Sequence, residues 1–274
     1  DHCRGRMSSR GLVKEAGSYD PFKLPESDAK PRIPVRLEGN KFLMLYDMHM
    51  PYHDTAALTT AIKEGIRQGC DTVYLGGDSL DFHQISHFIR DPEARDMGGE
   101  IEVFIHFLAH LRTKFPKAII YFKEGNHEER WWKYMRIKAV ELVNIKAISV
   151  QQLLKFKDFG AEWIHGRTKS NIGKLSVFHG HEFGKTVFSP VNVARGLYLR
   201  AKASSICGHS HQTSEHTEAD VNGKIVTCWS IGCLSELSPE YSPYNKWNHG
   251  FAIIERDGDD YHVGNYRIKN GKIL

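Results

Sequence analysis

The sequence predicts an α/β fold in which two packed β-sheets are flanked by helices. Three observations support this prediction. Five short apolar runs, typical of buried strands, each end in polar side chains of the kind that bind metal ions. The first half of the chain alternates strand-like and helix-like patterns, which favours parallel strands joined by helices. The second half alternates around hairpin turns such as Asn222-Gly223, which favours antiparallel strands.

The chain begins with a segment that has no sustained apolar periodicity. Residues 1–40 are rich in proline, glycine, serine and charge, so we predict an N-terminal extension that is partly disordered or draped over the surface. Residues 1–6 lack the apolar core of a signal peptide. Residues 41–274 are predicted to form one domain, because a chain of this length can bury one sizeable core.

The elements of the domain follow from apolar periodicity and turn residues. Residues 42–46 predict a buried strand, and residues 54–68 predict a helix that stops at Gly69. A strand at residues 72–75 completes a strand–helix–strand unit. Further helices are predicted at residues 82–90 and 99–114, and further strands at residues 118–122, 175–178, 205–207, 213–219, 224–230, 251–255, 261–268 and 272–274.

Residues 130–157 form a predicted basic helical insert. It contains seven basic side chains and one acidic one. Its apolar residues recur at close to helical spacing, which predicts a helical cap with a solvated basic face. The alternative is a surface that follows a phosphate backbone, with Trp131 or Trp132 stacking on a base. A second candidate wall of a substrate cleft is the loop 238–249, which contains two tyrosines and Trp247.

Five polar segments close the apolar runs. In order they are Asp47-Met48-His49, Gly77-Asp78, Gly125-Asn126-His127-Glu128, His179-Gly180-His181 and Gly208-His209-Ser210-His211. Each segment alone is unspecific, and Gly77-Asp78 by itself is more often a plain turn. Together they place imidazole, carboxylate and amide ligands at the carboxyl ends of strands, where α/β sheets generally build sites. Two neighbouring divalent ions need such a mixture with a shared carboxylate, so the set predicts a dinuclear metal centre.

This set of segments resembles the signature of the calcineurin-like metallophosphoesterase superfamily, which reads D-x-H, G-D, G-N-H-[DE], H and G-H-x-H. The match runs through residues 41–255 with the segments in the same order. The resemblance implies a four-layer sandwich of two mixed β-sheets flanked by helices. It also implies two divalent metal ions, with Mn as the first expectation and Fe, Zn, Ni or Co as alternatives.

The resemblance assigns roles to the polar residues of the segments. One metal ion would bind Asp47, His49 and His211, the other would bind Asn126, His179 and His209, and Asp78 would bridge the two. The nucleophile would be a hydroxide that bridges the metal ions. Asp78 and His127 are the predicted catalytic residues, and His127 would protonate the leaving oxygen or hold the phosphoryl group. The predicted substrate contacts are Arg130, His83 and His181, the last lining the pocket rather than binding metal.

Three functions are compatible with the resemblance. The first is hydrolysis of a phosphodiester of a nucleotide or nucleic acid, which the basic insert and the pocket histidines favour. The second is a phosphomonoesterase (phosphatase) acting on a small phosphorylated metabolite or nucleotide. A non-catalytic scaffold on the same fold is disfavoured, because all seven predicted ligands and His127 are present. A protein phosphatase is also disfavoured, because Phe82-His83 stands where that class carries Arg-Gly.

The composition of the chain limits which partners and which cellular location we expect. The formal net charge of +4 suits an anionic substrate without requiring nucleic acid. Five cysteines form an odd set without a C-x-x-C pair, which favours a reducing cytoplasm. No apolar run reaches the ~18 residues of a membrane span, so we predict a cytoplasmic protein without a membrane partner. A phosphate ester is the predicted partner, and the sequence indicates no particular protein partner.

Overall fold

The computed structural model describes Leu24 and residues 27–86, 96–184, 191–240 and 242–274. The chain divides into two compact units, Asp1–Ile33 and Pro34–Leu274. The described residues of the first unit are exposed and contain neither helix nor strand. Most of the predicted N-terminal extension lies outside the described residues. Its last residues, 34–40, lie in the second unit and include a strand.

The described residues of the second unit form thirteen strands and six α-helices. The strands are β1 (Val35–Arg36), β2 (Lys41–Leu45), β3 (Thr72–Leu75), β4 (Ile119–Lys123), β5 (Ala161–Ile164), β6 (Ser170–Ile172), β7 (Leu175–Val177), β8 (Ser205–Cys207), β9 (Ser214–Ala219), β10 (Ile225–Ser230), β11 (His249–Asp257), β12 (Asp260–Lys269) and β13 (Lys272–Ile273). The helices are α1 (Thr55–Arg67), α2 (Met97–Lys114), α3 (Glu129–Lys138), α4 (Val150–Leu153), α5 (Phe156–Phe159) and α6 (Val193–Ala201).

The strands form two mixed sheets. The six-stranded sheet has the order β1-β6-β7-β8-β10-β9, and the seven-stranded sheet has the order β13-β12-β11-β2-β3-β4-β5. In the seven-stranded sheet β2, β3, β4 and β5 run parallel, and β11 pairs with β2 in the antiparallel direction. In the six-stranded sheet β7, β8 and β10 run parallel to one another. The carboxyl ends of these parallel strands are therefore available to build one site.

The side chains of β2 show how the layers pack, because successive side chains of a strand point to opposite faces. Leu43 and Leu45 belong to the core cluster that includes residues of α1 and α2. Phe42 and Met44 point the other way and join the cluster between the two sheets. On the outer face of the six-stranded sheet, Leu197 of α6 packs against buried cysteines of β8 and β10. The order is helices, sheet, sheet and helix, so the predicted four-layer sandwich is confirmed.

Helix α1 begins and ends where the sequence predicts. The Asp54 side chain accepts the N–H of Ala57 at 2.7 Å and so satisfies one free donor of the first turn. The helix ends at Arg67, and Gly69 follows with a positive φ of 70°. Gly65 faces β2 so closely that a Cβ there would lie 2.6 Å from the Leu43 side chain. This contact fixes the segment that connects β2 to α1, which carries two of the predicted ligands.

Two predicted elements differ from the structure, and three short strands were not predicted. The predicted helix at residues 82–90 is a 3-10 turn at His83–Ile85, and residues 87–95 lie outside the described part. The basic insert is not one helix, because α3 ends at Lys138 and only 3-10 turns and the four-residue helices α4 and α5 follow. The short strands β1, β5 and β6 were not predicted, since two to four residues show too little periodicity and their hydrogen bonds come from distant segments.

Trp131 is too buried to stack on a base, and the same role for Trp132 stays a prediction. Trp131 is only 8% exposed, and its ring centroid lies 6.3 Å from that of Phe82. Trp132 is partly buried and packs against the same core. Lys133 and Lys138 are exposed on α3, as a solvated basic face requires. The spacing of residues along α3 could not predict which side chains are buried, because both faces of the helix carry aromatic and basic residues.

The described cysteines are buried free thiols; they are Cys70, Cys207, Cys228 and Cys233. Burial raises the pKa of the Cys70 thiol to about 12, so this side chain is a packed apolar group and not a nucleophile. Among the described helices, none is both long enough and apolar enough to cross a lipid bilayer. The cytoplasmic location stays a prediction.

Candidate dinuclear metal centre

The five polar segments meet at one end of the two sheets. Asp47 follows β2, Asp78 follows β3 and Asn126 comes soon after β4, so these residues lie along one edge of the seven-stranded sheet. His179 and His209 follow β7 and β8 of the facing sheet. Asp47 and His209 are 162 positions apart in sequence, yet the Asp47 Oδ2 accepts the His209 N–H at 2.8 Å. Strand ends thus bring distant segments into one site.

The first group of donor atoms belongs to Asp47, His49 and His211 and lies within 4.8 Å. The Nε2 atoms of the two histidines are 3.2 Å apart, and the Asp47 Oδ1 lies 3.5 Å from the Nε2 of His211. This Oδ1 is buried and has no hydrogen-bond partner among the described residues. A buried carboxylate oxygen facing two imidazole nitrogens is stabilised by a cation. The group therefore fits a divalent ion.

The second group belongs to Asp78, His179 and His209 and also lies within 4.8 Å. The Nε2 of His179 is 3.3 Å from the Asp78 Oδ2 and 3.1 Å from the Asn126 Oδ1. Asn126 thus places an amide oxygen beside this group. Carboxylate, amide and imidazole donors together suit Mn, Fe, Zn, Co or Ni.

Asp78 connects the two groups. Its carboxylate belongs to a third group of donor atoms within 4.8 Å, shared with His49 and His127. It is 2% exposed, and its Oδ1 accepts the backbone N–H of His127 at 2.9 Å. The structure therefore brings together all seven predicted ligands, Asp47, His49, Asp78, Asn126, His179, His209 and His211. Their division between two ions remains a prediction.

Hydrogen bonds on the far side of two histidines turn their rings into the site. The Nδ1 of His49 lies 3.1 Å from the Asp81 carboxylate, and the Nδ1 of His179 lies 3.0 Å from the carbonyl oxygen of Gly76. These bonds leave the Nε2 of each ring facing the other donors. Metal-binding histidines are usually held by such a second hydrogen bond, which fixes the tautomer and the ring orientation.

The histidine pKa values reflect the buried carboxylates. Burial opposes protonation of His179, but Asp78 and Asp47 raise its pKa to about 9. Burial acts in the same direction on His211, and there Cys233 and Asp47 raise the pKa to about 10. Burial and the charge of His179 lower the pKa of His209 to about 4. A bound cation would replace the protons that the carboxylates retain on His179 and His211.

The backbone of the ligands is unusual. Five of the seven predicted ligands, Asp47, His49, Asp78, His209 and His211, have φ between 47° and 67°. Residues other than glycine rarely adopt this left-handed region, because each costs about 1–3 kcal/mol and persists only where the surrounding structure enforces it. Such conformations cluster at functional sites. The concentration of strain at these residues supports a site that the fold holds in place.

The predicted catalytic residue His127 stands beside the first group. Its ring centroid lies 4.4 Å from that of His49. Its Nδ1 is 2.8 Å from the carbonyl oxygen of Asp81, and the Arg130 guanidinium lies 3.0 Å from its Nε2. Burial would lower the pKa of His127, but Asp78 and Asp81 raise it above the ordinary value. The side chain therefore has a fixed orientation and a carboxylate environment that favours holding a proton.

No protein-family model matches the chain, and no curated protein matches it. Solved structures are similar over most of its length. Vacuolar protein sorting 29 from Cryptosporidium parvum is 13% identical with a TM-score of 0.46, over 86% of this chain and 95% of that one. A dimetal phosphatase from Danio rerio is 11% identical with a TM-score of 0.41, over 86% and 96%. The phosphoesterase Yfce from E. coli is 14% identical with a TM-score of 0.40, over 85% and 96%.

At such identities the matches concern the fold alone. The chain's own geometry agrees with what the motif resemblance implies, because four layers form and all five segments meet at one edge. The fold is an α/β sandwich built on two mixed β-sheets. The remaining residues of the site show how this domain holds the candidate centre.

Glu128 joins two of the segments and was not singled out from the sequence. Its carboxylate accepts four backbone N–H groups, from Gly125 at 2.7 Å, Asp78 at 3.0 Å, Ser79 at 2.8 Å and Leu80 at 3.0 Å. Burial and the neighbouring Asp78 raise the pKa of Glu128 to about 7, against these donors, which favour the ionised form. The signal in the sequence was the acid at the end of the third segment. Its role needed the folded contacts.

Lys123 and Glu182 hold the fourth segment and were also missed. The Lys123 Nζ is fully buried and lies 3.1 Å from the Glu182 carboxylate. Glu182 in turn accepts the N–H of His179 at 3.1 Å and that of Gly180 at 2.7 Å. A buried lysine is rare unless it is paired, so this pair has a structural role in placing His179.

The predicted substrate contacts lie at different distances from the donors. His181 is near, with its ring centroid 5.2 Å from that of His179, and its Nε2 is 3.1 Å from the Glu129 carboxylate. Arg130 contacts His127, as described above. His83 lies in the 3-10 turn that packs against α3, and its role as a substrate contact stays a prediction.

Proposed function

We propose that this protein hydrolyses phosphodiesters of nucleotides or nucleic acids with the help of two divalent metal ions. The observation that carries the proposal is the shared position of Asp78, whose carboxylate borders both groups of metal-binding side chains. A shared carboxylate is what a two-ion site needs. When bound, the ions would lower the pKa of water and neutralise the charge of the phosphate oxygens. The metal-binding residues would be those described above, with Asn126 completing the second group.

The residues around the ions have separate tasks in this proposal. His127 would give a proton to the leaving oxygen through its Nε2, while the Asp81 carbonyl holds its Nδ1. Arg130 would contact a phosphate oxygen through a charge-assisted hydrogen bond, because its guanidinium already lies beside the His127 Nε2. His181 would line the pocket next to the second group.

The preference for a diester is supported by α3. This helix begins beside the site, where Arg130 contacts His127, and carries exposed basic side chains such as Lys133 and Arg136 away from it. Such a row suits a phosphate chain that continues beyond the reacting phosphate. A monoester remains the second candidate, because the Arg130 guanidinium would equally suit a terminal phosphate.

The test compares bis-p-nitrophenyl phosphate with p-nitrophenyl phosphate as substrates, with Mn²⁺ added. We expect faster turnover of the diester, and no metal-dependent turnover in an Asp78→Asn variant used as the blank. Faster turnover of the monoester would replace the diester proposal by the phosphatase alternative. A protein that purifies without bound metal and turns over neither ester would be a scaffold instead.

Replacing His127 with alanine tests its role as the acid. We expect turnover to fall roughly 10²-fold or more, as the loss of a general acid usually causes, while the metal content is retained. Turnover and metal content are measured on the same preparation, with the exposed His262→Ala as the matched control. Loss of metal in the His127→Ala variant would make His127 a ligand, since its donor atom also lies within 4.8 Å of those of His49 and Asp78.

A further inference from the structure

A cavity lies on the other side of Trp247 from the predicted ligand His211. It has a volume of about 320 Å³ and is lined by Asp54, Trp247, His249, Arg267, Lys269 and Asn270, among others. Strand β11 begins at His249 and runs antiparallel to β2, and β12 ends at Lys269. Both of these strand ends therefore lie at the edge of the sheet where Asp47 follows β2. The cavity and the metal-binding side chains share one end of the domain.

Trp247 forms the boundary between the cavity and the centre. Its ring centroid lies 4.2 Å from that of His211, with an angle of 62° between the rings. The backbone next to it is tied to the same ligand, because the Asn248 N–H donates to the His211 carbonyl oxygen at 2.9 Å. Leu234 precedes the loop 238–249, and its N–H donates to the Asp47 carbonyl oxygen at 3.1 Å. These backbone hydrogen bonds fix the position of Trp247 relative to the first group of donor atoms, which belongs to Asp47, His49 and His211.

The chemistry of the cavity suits a nucleoside with charge attached. Trp247 is one of the lining residues, and stacking on an indole accepts any base. The exposed Arg267 and Lys269 add positive charge to the lining, and Asp54 adds a carboxylate. A volume of about 320 Å³ is at the lower end of ligand pockets, ~300–1,000 Å³, and so suits one nucleoside unit.

Among the described aromatic residues, Trp131, Trp132 and Tyr244 do not line this cavity. Trp131 is buried and Trp132 packs against the core, as described above. Tyr244, from the same loop as Trp247, is 99% exposed and does not line the cavity. Of the two described aromatic residues in the loop 238–249, Trp247 is therefore the one that can form a substrate wall.

We propose that Trp247 and this cavity form the subsite that binds the nucleoside of a nucleotide diester, while the phosphate of that diester lies at the metal-binding side chains. This proposal rests on the proposed function and narrows its substrate class. It assigns Trp247 the part of a specificity-determining residue, whose effect appears in the choice between substrates.

The test uses two diesters with the same leaving group, thymidine 5′-(p-nitrophenyl phosphate) and methyl p-nitrophenyl phosphate. Because the leaving group is shared, the ratio of their kcat/KM values reports the contribution of the nucleoside. We expect a ratio of about ten or more in the wild-type protein, the size that stacking of one base on an aromatic side chain supplies. The ratio should fall towards one in Trp247→Ala and be largely retained in Trp247→Phe. The matched control from the same loop is Tyr244→Ala, which should keep the wild-type ratio.

The outcomes separate this proposal from the proposed function. Metal-dependent turnover of both esters with a ratio near one in the wild-type protein would overturn the subsite and leave the esterase in place. Absence of metal-dependent turnover of either ester would overturn the esterase itself. Loss of metal from Trp247→Ala would mean that Trp247 only supports His211, which also overturns the subsite. If Trp247→Ala does not fold, the proposal is tested by comparing how strongly thymidine 5′-monophosphate and methyl phosphate inhibit the wild-type protein. Equal inhibition by the two compounds would overturn the proposal.

Discussion

Replacing Asp78 with asparagine is expected to abolish metal-dependent turnover, with a loss of roughly 10³-fold or more, and to leave the chain with fewer than about two bound ions. The change keeps the shape of the side chain but removes the charge that borders both groups of donors. An amide oxygen can still accept the His127 N–H, which lies 2.9 Å from the Asp78 Oδ1, so the fold should persist. The measurements are metal content by mass spectrometry and turnover of bis-p-nitrophenyl phosphate.

Asp260→Asn is the matched control for this experiment. Asp260 lies on the surface, with its side chain 77% exposed and 2.9 Å from the Lys174 Nζ. An exposed ion pair of this kind contributes little, so the control should keep both the metal content and the turnover of the wild-type protein. If Asp78→Asn also kept both, the bridging role of Asp78 would be wrong.

Replacing Glu128 with alanine is expected to lower the free energy of unfolding by about 3 kcal/mol or more and to weaken metal binding as well. The carboxylate accepts four buried or partly buried backbone N–H groups, and the alanine would leave all of them without this partner. Hydrogen bonds to charged groups contribute about 1.5–3 kcal/mol each, although such losses are not additive. The measurement is denaturant unfolding followed by circular dichroism.

The control for Glu128→Ala is Glu102→Ala, which removes an exposed glutamate from α2 and should change stability by less than about 0.5 kcal/mol. Metal binding supplies the second readout. Glu128 makes no direct contact with the predicted histidine ligands, so a loss of affinity would come from movement of the segments that contain Asp78 and Asn126. Wild-type stability in Glu128→Ala would show that water replaces the carboxylate without cost.

The site is held by groups that do not themselves bind metal. Glu128 joins the second and third segments, and the Lys123–Glu182 pair holds the fourth. Space is equally restricted, because a Cβ at Gly125 would meet the Asp78 carboxylate and its backbone nitrogen. These contacts supply the surroundings that can keep five ligands in the left-handed region.

The local elements near the site were predictable for a simple reason. The apolar runs of β2, β3 and β4 and the cap and stop of α1 lie within a few consecutive residues, and periodicity reads such short-range order well. The hairpin at Asn222-Gly223 likewise follows from turn chemistry and pairs β9 with β10. The strands β1, β5 and β6 were missed, because their pairing depends on neighbours far away in sequence.

The sequence by itself determined the type of fold, the positions of the metal-binding side chains at strand ends, and the chemistry that those side chains can support. Each of these depends on residue type and on spacing along the chain. Only the tertiary structure decided that Asp78 borders both donor groups, that Glu128 and Glu182 hold the segments, and that Trp247 rather than Trp131 faces a cavity beside the site. These facts arise from contacts between segments that are far apart in sequence, and the packing of two sheets against each other sets which of those contacts form.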